Sequence, residues 1–226
     1  MSSFFSSDNA VIGFLSRLGD LIILNILFLI CSIPIFTIGA STTALYYTSM
    51  KSITLEEGYV ARRFFKSFKQ NFKQSTIIWL LSLLLGAFLI LNLYIAIKCE
   101  IKVYIVIFTI ISCLLVFIMT YIFQLQAKFD NPIKVTIRNA FLLSIKYFPW
   151  TLLLIVIFAA VCYLFYLSPI VDAVMLLIGF SLYAYGTSFI YNKLFAPYLP
   201  EERDIHDEEY RPEESEESEE SEEPEE

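Results

Sequence analysis

IIWLLSLLLGAFLILNLYIAI (residues 77–97) and VYIVIFTIISCLLVFIMTYIF (residues 103–123) are two runs of 21 residues with no charged side chain, separated only by Lys98-Cys99-Glu100-Ile101-Lys102. A helix rising about 1.5 Å per residue needs roughly 20 such residues to cross a hydrocarbon core of about 30 Å. Backbone groups find no water there, so each run must satisfy them internally as a helix. The pair reads as a transmembrane hairpin.

Working outward, further apolar stretches lie at 21–50, 150–167 and 170–191, in a chain of 226 residues that is 57% hydrophobic and carries 21 Phe and 14 Tyr. Such a composition is too apolar for an ordinary soluble domain. The stretch 21–50 holds 30 residues, about 45 Å of helix, which exceeds one bilayer core and falls short of two. It reads as one crossing, broken at Pro34 and continuing toward Met50. The expected fold is therefore all-α: a polytopic bundle of five transmembrane helices over residues 1–200, followed by an acidic tail, 201–226.

Charge sets the expected orientation. The tail carries 16 acidic and 2 basic residues, which leaves the body with 14 basic against 7 acidic. Within the body, Lys51, Arg62, Arg63, Lys66, Lys69 and Lys73 follow the first span, Lys128, Lys134, Arg138 and Lys146 follow the third, and Lys193 follows the fifth. Only Arg17, Lys98 and Lys102 lie on the other side. The positive-inside rule then places the long loops and the tail in the cytoplasm and the N-terminus outside. A cleaved signal peptide ending at Gly39-Ala40-Ser41 is disfavoured, because Asp20 rather than a basic cluster abuts the apolar run. Tyr46, Tyr47, Trp79, Trp150 and Tyr191 are expected at headgroup level on the inner side.

Two interfacial helices are expected in the cytoplasmic loops. Thr54 and Glu57 have the spacing of a capping box, after which Phe64, Phe65, Phe68 and Phe72 share a face opposite Arg62, Arg63, Lys66, Lys69 and Lys73. Asp130-Asn131-Pro132 opens a second helix carrying Ile133, Ile137, Phe141 and Phe148 with Lys134, Arg138 and Lys146. At an offset of 76 residues Arg62 meets Arg138, Phe65 meets Phe141 and Phe72 meets Phe148, a pattern that suggests a parallel duplication. The nearest anions to these basic faces are lipid headgroups, so the expected partner is anionic membrane lipid and not nucleic acid. The repeated Glu-Glu-Ser tail is too polar to pack; being acidic, it would compete with lipid for the basic face.

The first span holds the candidate functional residues. Pro34 interrupts the helix, and Thr37, Gly39, Ser41, Thr42 and Thr43 follow it, with Asn25 one turn into the span. A broken helix can expose backbone groups to an ion or solute, as in transporters. The same small and hydroxyl-bearing residues also permit close helix packing and re-satisfy freed carbonyls, and Asn25 serves as an interhelical hydrogen-bonding group.

Exclusions are broad. Cys31, Cys99, Cys113 and Cys162 are isolated and the sole histidine, His206, lies in the tail, so no disulfide framework, metal site or histidine-based catalytic set is expected. No Walker loop or paired catalytic carboxylates occur, and no cofactor is implied. The missing charge inside the spans argues against a proton-coupled pump. No catalytic residue is expected.

RLGDLIILN (17–25), PIFTIGA (34–40), ALYY (44–47), FFKSFKQNF (64–72) and FDNP (129–132) resemble the YesL family, a bacterial membrane family of unknown function, over roughly residues 4–200. The resemblance implies a plasma-membrane protein encoded near carbohydrate uptake and polysaccharide-degrading systems, and it brings no site residues. The expected function is a non-enzymatic accessory or regulator associated with a carbohydrate ABC transporter; the alternative is a small facilitator for a neutral solute.

Overall fold

The computed structural model describes residues 2–54, 59–164 and 169–199, and these are helical with no β-strand among them. In order they form α1 (Ser2–Ser32), a 3₁₀ turn (Ile35–Thr37), α2 (Ile38–Thr54), α3 (Val60–Lys98), α4 (Lys102–Lys128), α5 (Ile133–Lys146), α6 (Phe148–Leu164), α7 (Pro169–Val174), a π-turn (Met175–Gly179) and α8 (Phe180–Phe195). Glu57 of the expected capping box and the tail 201–226 lie outside the described residues. The chain divides into two compact units, Met1–Lys193 and Leu194–Glu226; the described part of the second ends α8 and adds a 3₁₀ turn, Ala196–Tyr198.

Among the described residues, four segments are long and apolar enough to cross a membrane: Leu15–Ser32, Val60–Lys98, Lys102–Lys128 and Val171–Tyr198. Counting the bent pair α5–α6 as one more gives a fifth. The all-α membrane bundle expected from the sequence is what forms.

The first apolar stretch divides differently from the expected single crossing. α1 ends at Ser32, because Pro34 cannot donate to the carbonyl one turn back and restricts the residue before it. α2 then does not extend the crossing. It runs antiparallel to α3, with Ile35 meeting Trp79 and Thr43 meeting Ser75, and from Thr43 onward it is level with the polar half of α3. It is enclosed on every side: Ala40, Ser41, Thr43, Ala44, Thr48 and Ser49 are all buried. A run of small residues around a helix is what lets neighbours close on it from all directions.

α3 corrects a second expectation. The basic-aromatic segment is not a separate helix lying in the interface; it is the first half of one 39-residue helix, about 58 Å long and roughly twice the thickness of a bilayer core. At its far end Glu100 takes a left-handed conformation, φ 54°, and Ile101 N–H closes on Ala96 O at 3.0 Å, a Schellman turn that delivers the chain into α4. Glycine suits that backbone better than glutamate. Glu100→Gly is expected to raise stability by roughly 0.5–1 kcal/mol, measured by thermal unfolding in detergent.

α5 and α6 meet at 98°. The cause is Pro149, which has no N–H for the Ile145 carbonyl and whose ring crowds it. Position 73, the equivalent at the 76-residue offset, is lysine, and there the helix runs straight through. Burial keeps the offset all the same: Val60 and Thr136, Phe64 and Ala140, Ser67 and Leu143, Ser75 and Thr151, and Ile78 and Leu154 are each buried in both copies. One proline thus gives two similar segments different shapes.

Candidate functional site

The residues that follow Pro34 seal the break. The Thr37 hydroxyl lies 2.6 Å from both Cys31 O and Pro34 O, and Trp79 Nε1–H donates to Ile35 O at 2.7 Å. These bonds satisfy carbonyls that the interrupted helix leaves open. Thr42 donates to Ile38 O at 2.8 Å, while Thr43 donates to Gly39 O at 3.0 Å and shares a 2.9 Å hydrogen bond with Ser75 Oγ. Ser41 is buried, and its Oγ has no partner. Gly39 sits where α2, α3 and α4 converge: a Cβ there would lie 2.5 Å from Ser75 O, 2.6 Å from Trp79 Cβ and 3.1 Å from the Phe123 ring.

Asn25 is fully buried against the π-turn. Its Nδ2 donates to Leu176 O at 2.6 Å and its Oδ1 accepts from Ser181 N–H at 3.0 Å. A π-turn's i→i+5 bond would join those same two backbone groups; the carboxamide has been inserted between them. Phe28 packs one turn on against Phe180, ring centroids 5.2 Å apart. Both donor and acceptor functions of Asn25 are therefore spent on a neighbouring helix.

A buried tyrosine cluster was not singled out from the sequence. Tyr46 and Tyr191, expected in the headgroup belt, are buried at 4% and 1% exposure, and Tyr121 joins them at 0%. The Tyr191 ring stands edge-on to both Tyr46 and Tyr121, centroids 5.6 and 5.8 Å away. Tyr191 O–H donates to Thr120 O at 2.6 Å, Tyr121 shares a 3.0 Å bond with Thr151, and Thr151 donates to Ser144 O at 2.9 Å. Buried phenols must find partners; the two phenol bonds tie α4 to α8 and to α6, and the Thr151 bond carries the chain on to α5.

Beside it, Gln126 Nε2 uses both hydrogens across helices, to Asn71 Oδ1 at 3.1 Å and Gln74 Oε1 at 2.8 Å, while its Oε1 accepts more loosely from Thr136 at 3.4 Å. Gln126→Leu would leave both acceptors on α3 without their donor. A loss of about 2 kcal/mol is expected, read from thermal unfolding alongside Asn71→Ala and the double variant, whose effects should be strongly non-additive. The signal available in sequence was the placement of Gln124 and Gln126 in the last turns of an otherwise apolar run.

The expected lipid-facing row on α3 is split by the structure. Phe64 is fully buried in protein and Phe68 half-buried, whereas Phe65 and Phe72 are exposed, as are Arg62, Lys69 and Lys73. Phe64 and Phe68 stack with centroids 6.1 Å apart, and Phe72 meets Phe68 edge-on at 5.4 Å. Arg63 is half-buried, with Nη1 out of reach of solvent. Lys66 is exposed. The four cysteines are free, and no group of three or more metal-ligating side chains occurs among the described residues.

Residues 21–93 match a family described as "Protein of unknown function, DUF624". That match takes in α1 from Leu21, all of α2 and most of α3. No curated protein and no solved structure matches the chain.

Proposed function

We propose that this is a non-enzymatic accessory or regulatory component of a carbohydrate uptake system in a bacterial plasma membrane, with its N-terminus outside and both long loops and the tail in the cytoplasm. One observation carries the reading: the amides and phenols best suited to hold a solute, Asn25, Gln126, Tyr121 and Tyr191, are committed to other helices. A scaffold so knitted presents surfaces to a partner rather than a path to a solute. The resemblance to the YesL family supplies the carbohydrate context, and a carbohydrate ABC permease is the proposed partner.

The test is co-purification with such a permease, paired with solute flux in proteoliposomes. Recovery of a complex and no flux by the protein alone would support the accessory role; flux by the protein alone would defeat it. The second reading, a facilitator for a neutral solute, is favoured by the buried hydroxyl oxygens of Ser32 and Ser41, which flank the helix break and have no hydrogen-bond partner. Orientation is checked by labelling single cysteines at Gln70 and Asp130 in intact cells. Both should be protected from impermeant reagents.

A further inference from the structure

α6 fixes where α5 lies. Its 17 residues, Phe148–Leu164, contain no charge, about 25 Å of helix, so they occupy the hydrocarbon and the chain just before Phe148 is at headgroup depth. The 98° turn at that point sets the 14 residues of α5 sharply off the axis of α6, back along α4, with Thr136 at Gln126 and Phe148 against Phe117. Trp150, a headgroup-belt residue type, marks the same depth one turn into α6, with Lys193 Nζ over its ring at 5.9 Å.

The two sides of α5 differ in kind. Toward the protein it buries Thr136, Ala140, Leu143 and Ser144. Its outward side exposes Ile137, Phe141, Leu142 and Ile145, and Lys134 and Arg138 are exposed on that same side. On a wheel of 100° per residue the two cations fall between Phe141, Ile145 and Leu142, not opposite them. Water would favour the cations and not the phenyl and leucyl groups, and a protein core the reverse; a leaflet surface accepts both, apolar groups below the headgroups and long basic side chains reaching their phosphates. The exposed row continues into Phe148, Leu152 and Leu153 of α6, so it joins the surface that already faces acyl chains. α5 carries no acidic residue.

We propose that α5 is a docking surface for anionic phospholipid, with Lys134 and Arg138 gripping headgroup phosphates while Ile137, Phe141, Leu142 and Ile145 seat among the first acyl carbons. The basic half of α3, whose equivalent row is Ala61, Phe65, Lys66 and Lys69 with a single large apolar side chain among them, does not share this role. Pro149 makes the difference, by turning α5 off the axis of α6 where its counterpart is continuous with the span that follows. This goes beyond the accessory reading and stands whether or not a permease partner is found.

The experiment uses the full chain with its four native cysteines replaced by serine, a single cysteine at Phe141 or at Leu142 carrying an environment-sensitive fluorophore, and Phe65 labelled as the reference. The protein is reconstituted in phosphatidylcholine vesicles containing a minor fraction of phosphatidylglycerol, with a shallow spin-label quencher on one lipid or the other. At position 141 or 142, quenching through phosphatidylglycerol should exceed quenching through phosphatidylcholine about fivefold. That preference should fall to near parity in the double variant Lys134→Gln, Arg138→Gln and in high salt, which screens exposed charges; the probe at 65 should show none. Equal quenching by the two lipids in the unaltered basic background would overturn anionic selection. A probe at both 141 and 142 that no lipid reaches would overturn the lipid surface itself and assign the face to protein. Native-like helicity and monodispersity of the labelled chains separate these outcomes from misfolding.

Discussion

Gly39→Leu is expected to prevent assembly of the folded bundle, and Gly39→Ala to cost about 2–3 kcal/mol. In an ordinary helix interior the alanine exchange would gain up to about 1 kcal/mol. Here the added Cβ would fall 2.5 Å from the Ser75 carbonyl oxygen and 2.6 Å from Trp79 Cβ, and neither is the free end of a flexible side chain. α2 would have to move off α3, loosening the Thr43–Ser75 bond and the Trp79 bond to Ile35 O. Overpacking of this kind costs roughly 1–3 kcal/mol before such bonds are counted. The measurement is thermal unfolding in detergent, with Gly186→Ala as the control because nothing lies within 4 Å of a Cβ built there. A Gly39→Ala protein as stable as the control would mean that the close approach does not limit packing.

Asn25→Leu should have an effect of similar size, about 3 kcal/mol, for a different reason. The leucine fills comparable volume but leaves the Leu176 carbonyl and the Ser181 amide without the groups that now bond them, and buried unsatisfied polar groups cost roughly 1–3 kcal/mol each. Asn25→Asp should be no better: its oxygens can still accept from Ser181 but one of them then faces the Leu176 carbonyl. Hydrogen exchange distinguishes this local mechanism from general loosening. The Ser181 amide should exchange far faster in the leucine variant, while the Ala184 amide, within regular helix, changes little.

These two positions show what a single sequence makes legible. Membrane-length helices were readable because long uncharged runs have few alternatives, and the break at Pro34 because proline's chemistry is local. The fate of the chain after the break was not readable. Residues 38–50 are apolar enough to pass for the rest of a crossing, and only the antiparallel match to α3, a contact between distant segments, shows that they form an enclosed helix instead. Tyr46 and Tyr191 misled for a related reason: a tyrosine near the end of an apolar run looks the same whether its hydroxyl meets headgroups or a Thr120 carbonyl. The role of Asn25 as an interhelical group was legible, but its partner was not, since nothing in residues 175–181 announces a π-turn. Phe64 and Phe65 are adjacent in sequence and opposite in fate, because the face that packs is chosen by α2.

The uneven distribution of packing along the hairpin has a mechanical consequence. Buried side chains crowd the end where Tyr121–Ala127 meets α2, yet α4 from Lys102 to Thr120 has no buried residue, and α3 beyond Ile78 has only Leu89 and Ala96. The Cys99–Ile101 turn is thus carried at the tip of a long lever clamped at its base. A bilayer thinner than the apolar run can be matched by tilt, and with most of the buried contacts at the base, the tilt pivots there. Small angular changes at the clamp become large lateral displacements of the tip, while the tyrosine and glutamine contacts stay in register. The hairpin would then act as a gauge of membrane thickness, readable as a change in distance between spin labels at Cys99 and at the Cys162 position of α6 across lipids of increasing chain length.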